Sequence, residues 1–161
     1  MVVSGGVLMR ITHSLLGAIV SVTFFFALIA TPHADEPSPA GLWKTVDDST
    51  GQAKGLVRIR EVNGHFEGKI EKIYPKPNDD PAPKCEKCNG ARKNQPVLGM
   101  TILWGLAKQA DDYEGGEILD PENGKVYRAQ MKLIDGGKKL EVRGFVGVSL
   151  FGRSQIWLRE G

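Results

Sequence analysis

Cys85 and Cys88 are the only cysteines of the chain, and they stand in the segment PAPKCEKCNGARKNQP. A Cys-x-x-Cys pair can bind a metal ion, exchange disulfides or form a structural disulfide. A structural zinc ion needs about four Cys or His ligands, and after residue 34 the chain offers only His65 besides the pair. A thioredoxin-type redox pair lies at a helix N-terminus, which lowers the thiol pKa. No helix is predicted here, although two neighbouring lysines would stabilise a thiolate.

Residues 1–34 have the features of a secretory signal peptide. Arg10 is the only charged residue before the apolar segment LLGAIVSVTFFFALIA, which is shorter than the roughly 20 residues of a membrane span. A small residue then precedes the acidic, proline-containing sequence DEP, which predicts cleavage after Ala34. Cleavage after Ala30 and an uncleaved anchor helix are the alternatives. Cleavage would leave a mature chain without a membrane span.

Export bears on the chemistry of the cysteine pair. An exported protein folds in an oxidising compartment, where disulfides persist, so we predict a disulfide between Cys85 and Cys88 and neither a metal site nor a redox centre. The ring is small, so its entropic contribution is below that of a long loop. Its use would be local, in the long proline-rich loop at residues 75–99. Loops of this length are usually functional, disordered or tied down.

Residues 35–161 predict one all-β domain. Short segments of strand length alternate with turn signals such as Asn63-Gly64, a pair that suits a tight hairpin turn. No ten-residue helical pattern appears. Eight antiparallel strands joined by short turns predict an up-and-down barrel, because closing the sheet removes its edges; a two-sheet β-sandwich is the alternative. The predicted strands cover residues 41–46, 54–62, 65–74, 100–108, 113–119, 125–134, 138–146 and 154–160.

Alternating side chains indicate which residues face the interior. Phe66 in the third segment, and Tyr127 and Met131 in the sixth, fall on the apolar face of strands with a period of two. Trp104 lies in a strand that is apolar on both faces. We predict these four residues as contacts for a ligand in the barrel, while packing of a filled core is the alternative for each.

The charge pattern and the residue inventory exclude several functions. The chain has 21 basic and 19 acidic side chains, without the basic stripe that nucleic-acid binding requires. Carboxylates fall in turns or on outward faces, and no Ser-His pair or Gly-x-Ser-x-Gly elbow occurs. We therefore predict no catalytic residues, no metal, no cofactor and no enzymatic activity. Arg143 and Arg153 are interpreted as solvated arginines, while an inward arginine that binds a carboxylate is the alternative.

Two sets of motifs resemble known families. Gly41 and Trp43 open the first predicted strand, and Trp157 and Arg159 lie in the last one. This arrangement resembles the lipocalin-like superfamily, in which a Gly-x-Trp near the closed end of the barrel is covered by an arginine of the last strand. The segments GLWKTVDD, GKI, CEKCNG, GGEILDPENGKVY, LEVRGFVG and FGRSQIW resemble the secreted bacterial family called domain of unknown function 2147. The resemblance implies a lipocalin-like barrel exported by a Gram-negative bacterium, and it transfers no catalytic residue.

These observations lead to three functional hypotheses. The first is a periplasmic or secreted barrel that binds a small, mainly apolar molecule near its mouth. The second is a non-catalytic module that binds another envelope protein through the cysteine loop or the strand around Trp104. The third, a thiol-disulfide oxidoreductase that uses Cys85 and Cys88, has the least support.

Overall fold

The computed structural model describes residues 1, 36–47 and 49–161. The predicted cleavage site and the predicted signal peptide, apart from its first residue, lie outside the described residues. The chain divides into the units Met1–Ala34 and Asp35–Gly161, and the second unit contains the strands. No helix of the described part has the length and apolar character needed to cross a membrane.

Eight antiparallel strands form a closed barrel in chain order. Each strand pairs with the next, and the eighth returns to the first, where Trp43 pairs with Arg159. The predicted up-and-down barrel is therefore confirmed, and the β-sandwich alternative is wrong. The strands are β1 (Gly41–Val46), β2 (Ala53–Val62), β3 (His65–Ile73), β4 (Thr101–Gln109), β5 (Asp112–Asp120), β6 (Lys125–Ile134), β7 (Lys139–Phe145) and β8 (Gly152–Glu160).

Turn chemistry and alternation explain why the chain forms these strands. Asn63 and Gly64 both have positive φ, 52° and 78°, as the tight turn between β2 and β3 requires. Within β2, Val57 and Ile59 are buried, whereas Arg58 and Arg60 are not. This period of two directs one face of each strand into the barrel.

One end of the barrel is filled by large side chains, and we call it the closed end. Trp43, Trp157 and Leu140 are at most 1% exposed there. Phe66 and Tyr113 pack edge to face with ring centroids 5.0 Å apart, an arrangement that aromatic quadrupoles favour. Burial raises the pKa of Tyr113. These residues leave no need for a ligand to complete the core at this end.

Arg159 covers the buried indole of Trp43. Its guanidinium carbon lies 4.2 Å from the centroid of the Trp43 ring, a cation–π contact that contributes about 0.5–2 kcal/mol. Gly41 makes room for it, because a Cβ at that position would lie 2.6 Å from Nη1 of Arg159. Burial lowers the pKa of Arg159, but an arginine remains charged in proteins.

The same guanidinium closes the base of the barrel through three carbonyl groups. Nε of Arg159 donates to the Gly137 oxygen at 2.6 Å, in the turn between β6 and β7. Nη1 and Nη2 donate to the oxygens of Ala40 and Ser38, at 3.1 and 2.7 Å, in the segment that leads into β1. One side chain of β8 therefore holds both the leading segment and a hairpin turn.

We expect Arg159→Ala to lower the free energy of unfolding by about 2–4 kcal/mol, because it removes three charge-assisted hydrogen bonds and a cation–π contact. Urea unfolding followed by far-UV circular dichroism measures this loss as a lower midpoint with an unchanged slope. Arg159→Lys keeps the charge without the planar fork, and we expect it to lie between wild type and Arg159→Ala. Equal midpoints for all three proteins would contradict the proposed clamp.

Candidate ligand cavity at the open end of the barrel

The other end of the barrel contains a cavity of about 1020 Å³. We call this the open end, since the connections after β1, β3, β5 and β7 surround it. Its volume is of the size that binds small molecules. The interior positions that line it are mainly apolar: Val57, Ile70, Ile118, Tyr127, Val142, Gly144, Gln155 and Trp157.

Many polar side chains also line the cavity, and three of them belong to β6 and β8. The hydroxyl of Tyr127 accepts a hydrogen bond from Nδ2 of Asn123 at 3.1 Å, which orients it at the end of β6. Oε1 of Gln155 accepts one from Nε1 of Trp157 at 3.2 Å. Arg153, which is exposed, also lines the cavity. A molecule in this cavity would meet an apolar wall and a few oriented polar groups.

The strand alternation of β8 explains the position of the two polar residues that sequence analysis missed. Trp157 faces the interior, so Gln155 and Arg153, two and four residues earlier, fall on the same face. Both line the cavity together with Trp157. The interpretation of Arg153 as merely solvated was therefore incomplete, because this exposed side chain belongs to the cavity wall. Arg143 instead donates to the Ser154 hydroxyl at 3.0 Å.

The structure separates the four predicted ligand contacts. Tyr127 lines the cavity. Phe66 and Met131 are buried in the closed end, 5% and 1% exposed, and do not line it. Trp104 lies on the outer face of β4, where its Nε1 donates to Oε2 of Glu117 at 2.9 Å. A local bulge at Gly105, with φ of 76°, accompanies this placement.

The predicted disulfide between Cys85 and Cys88 is present, and both residues are buried. Residues 75–99, here called the Cys loop, connect β3 to β4 beside the cavity. Sγ of Cys85 lies 3.3 Å from the carbonyl oxygen of Pro121; a disulfide sulfur has no proton to donate, so this is a packing contact. Gly124, in the same turn between β5 and β6 as Pro121, also packs against the Cys loop, since a Cβ there would lie 2.0 Å from the Lys87 oxygen.

Further contacts hold the Cys loop against the barrel. The guanidinium of Arg92 lies 4.4 Å from the centroid of the Trp104 ring. The backbone amide of Gly99 donates to the Ile70 oxygen of β3 at 2.9 Å, and within the loop the amides of Cys85 and Val97 donate to the oxygens of Gln95 and Pro83, both at 2.9 Å. The loop is therefore tied down, and part of it, including Pro83 and Val97, lines the cavity.

Two ion pairs join different connections at the rim of the cavity. Lys54 on β2 pairs with Glu122 in the turn between β5 and β6. Lys76, near the start of the Cys loop, pairs with Asp47 at 3.1 Å. Hydrogen bonds from the Ser49 hydroxyl and from Lys76 lower the pKa of Asp47. The Asp47–Lys76 contact therefore persists at neutral pH and is lost only as the pH falls below the ordinary range of an aspartate.

The described residues offer little for catalysis. They contain no group of three or more His, Cys, Asp or Glu side chains that could hold a metal ion. The sulfurs of Cys85 and Cys88 are joined and the residues are at most 1% exposed. Thiol-disulfide exchange requires an attacking thiolate to reach a sulfur, and burial opposes that approach.

We expect the double substitution Cys85→Ala/Cys88→Ala to loosen the Cys loop while the barrel persists. In the chain-entropy treatment, a disulfide that closes a four-residue ring stabilises the folded state by on the order of 2 kcal/mol. We expect its removal to destabilise the Cys loop rather than the strands. Hydrogen exchange should accelerate at the amides of Cys loop residues such as Val97 and stay slow in β6 and β7.

Gly124→Ala provides a matched variant with the disulfide intact. Its new methyl group would collide with the backbone of the Cys loop at a position of positive φ, 72°, so it should accelerate exchange at the same loop amides. Unchanged loop exchange in both variants would show that these contacts do not hold the loop.

Comparisons with known proteins agree with the geometry. Protein HP1028 from the human pathogen Helicobacter pylori, described as a member of the lipocalin family, has a solved structure with a TM-score of 0.66 to this chain. The two are 21% identical, and the match covers 77% of this chain and 84% of that chain. At this identity the likeness shows the fold alone. No curated protein matches the chain.

The sequence match to a family is more direct. The bacterial family described as "Uncharacterized protein conserved in bacteria (DUF2147)" matches residues 41–159, from the first residue of β1 to the penultimate residue of β8. It spans every strand of the barrel, the Cys loop and the cavity lining. The chain therefore belongs to the bacterial DUF2147 family, with a lipocalin-like barrel as its fold.

Proposed function

We propose that this chain is an exported bacterial protein that binds a small molecule in the open end of its barrel. The observation that carries the proposal is the cavity of about 1020 Å³, whose interior includes apolar side chains such as Val57, Ile118 and Val142 and whose rim carries many polar and charged ones. Small-molecule sites have this composition, because burial of apolar surface supplies affinity and a few polar groups orient the ligand. The signal-like sequence at residues 1–34 supports export to the periplasm.

The lining defines the chemical class of the ligand more narrowly than the sequence did. Val57, Ile118 and Val142 offer aliphatic surface, which suits a hydrocarbon or an aromatic ring system. Gln155 and Arg153 lie on the same face of β8, towards the open end, and provide an amide and a guanidinium. A guanidinium recognises carboxylate and other oxyanions well. The ligand we propose is therefore amphipathic, with an apolar body inside and a polar or anionic end near Arg153.

The two other hypotheses have weaker physical support. Trp104, the proposed centre of a protein-binding strand, already contacts Glu117 and Arg92, and the Cys loop packs against the barrel. A redox function would require access to sulfurs that are buried. The cavity, by contrast, has no structural use in a barrel whose closed end already provides a packed core.

We expect Val142→Phe to weaken binding of the amphipathic fluorescent probe anilinonaphthalene sulfonate by at least about tenfold, which corresponds to roughly 1.4 kcal/mol. The added ring would occupy the cavity. Val126→Phe is the matched control, since Val126 is 44% exposed and its neighbour Tyr127 faces the cavity; it should bind the probe like wild type. Thermal unfolding of each variant checks that the fold is retained.

Gln155→Leu keeps the side-chain size and removes the amide. It should therefore lower the affinity for the probe several-fold, and it provides a test even if Val142→Phe is unstable. Native mass spectrometry of protein taken from its own host without refolding then looks for a retained molecule. Equal probe affinity in wild type and both cavity variants, together with no retained mass, would contradict the proposed function.

A further inference from the structure

The connection between β7 and β8 forms an exposed apolar hairpin. We call residues 146–151 the β7–β8 tip. It contains no charged residue, and Ser149 is its only side chain with a hydroxyl group. Monomeric proteins rarely expose several neighbouring large apolar side chains, and such clusters mark interaction sites. The exposed side chains are Val146 (67%), Val148 (60%), Leu150 (79%) and Phe151 (71%).

Most carbonyl groups of the tip are hydrogen-bonded within the protein. Nε of Arg143 donates to the Ser149 oxygen at 2.8 Å, and Nη1 of Arg128 donates to the Gly147 oxygen at 3.3 Å. The amide of Val146 donates to the Phe151 oxygen at 3.3 Å, and the amide of Phe151 donates to the Val148 oxygen at 3.1 Å. A segment with satisfied carbonyls can enter an apolar medium at a lower cost than one with free peptide groups. The carbonyl groups beside these apolar side chains therefore add little to the cost of entering such a medium.

Positive charge surrounds the base of the tip. Arg128 and Arg143 donate hydrogen bonds to carbonyl oxygens of the tip, which carry no net charge. Among the described residues, neither arginine forms an ion pair with a carboxylate. Arg153 follows directly in β8. The arrangement places cationic groups next to a protruding apolar surface. An anionic lipid bilayer has the complementary order, with negatively charged headgroups above a hydrocarbon interior.

We propose that the β7–β8 tip inserts into the surface of an anionic phospholipid bilayer, with Arg128, Arg143 and Arg153 at the level of the headgroups. The tip belongs to the open end of the barrel, and Val146 and Phe151 also line the cavity. Docking through the tip therefore turns the mouth of the barrel towards the bilayer. The proposal does not require that the cavity bind a ligand.

Vesicle flotation tests this proposal. The full chain is expressed, and the protein is purified after whatever processing the cell carries out. Wild type should float with vesicles of phosphatidylglycerol and phosphatidylcholine and bind far less to phosphatidylcholine alone. Leu150→Ser/Phe151→Ser should lower the partition coefficient at least about tenfold, since two large apolar side chains lose their burial. Added salt should weaken wild-type binding, because it screens the arginines.

Val62→Ser/Leu158→Ser is the matched control, because both residues are exposed on strands away from the tip, 43% and 37%. It should float like wild type, and circular dichroism of each variant checks the fold. Absence of wild-type binding to anionic vesicles, or equal binding by both double variants, overturns the proposal. Sedimentation velocity without vesicles adds a further test. If wild type and the control variant are dimers and only the tip variant is a monomer, the tip is a self-association surface, and this result also overturns the proposal. Binding of the fluorescent probe in the cavity is measured in a separate experiment. Failure of the membrane proposal can therefore be distinguished from failure of the ligand-binding proposal.

Discussion

Closure of the sheet by the pairing of β1 with β8 is the constraint on which the rest of the structure depends. Trp43 and Arg159 are partners in this pairing, and it leaves the barrel without an open edge. Closure also defines an interior volume that side chains or a ligand must occupy. The same two residues then seal one end, since the guanidinium lies over the indole and holds three carbonyl groups.

The two ends of the barrel differ in how their interior is filled. Aromatic and long aliphatic side chains fill the closed end, where Phe66 and Tyr113 pack edge to face. Residues at the open end, such as Val57 and Val142, leave a cavity. The Cys loop forms part of its rim, and its disulfide packs against Pro121 and Gly124. Tight side-chain packing therefore lies mainly at one end of the barrel, and the cavity lies at the other.

The open end combines two surfaces with different partners. The cavity has the volume of a small-molecule site, and the β7–β8 tip beside it exposes apolar side chains next to Arg128 and Arg143. An amphipathic molecule dissolves in bilayers, so a barrel docked through its mouth would meet such a ligand where it is concentrated. The two proposals are thus physically compatible, although each stands on its own contacts.

The sequence by itself predicted the strands, an up-and-down barrel and the disulfide, because alternation and turn residues are local signals and a signal peptide implies an oxidising compartment. Tertiary structure decided which inward residues fill the core and which line the cavity. Phe66 and Met131 alternate like Tyr127, yet only Tyr127 reaches the open end. Trp104 faces outwards on β4, and Arg153 faces the cavity because it shares a face with Trp157. Periodicity gives the face of a strand, whereas depth along the barrel axis depends on the stagger between strands, which exists only once the sheet has closed.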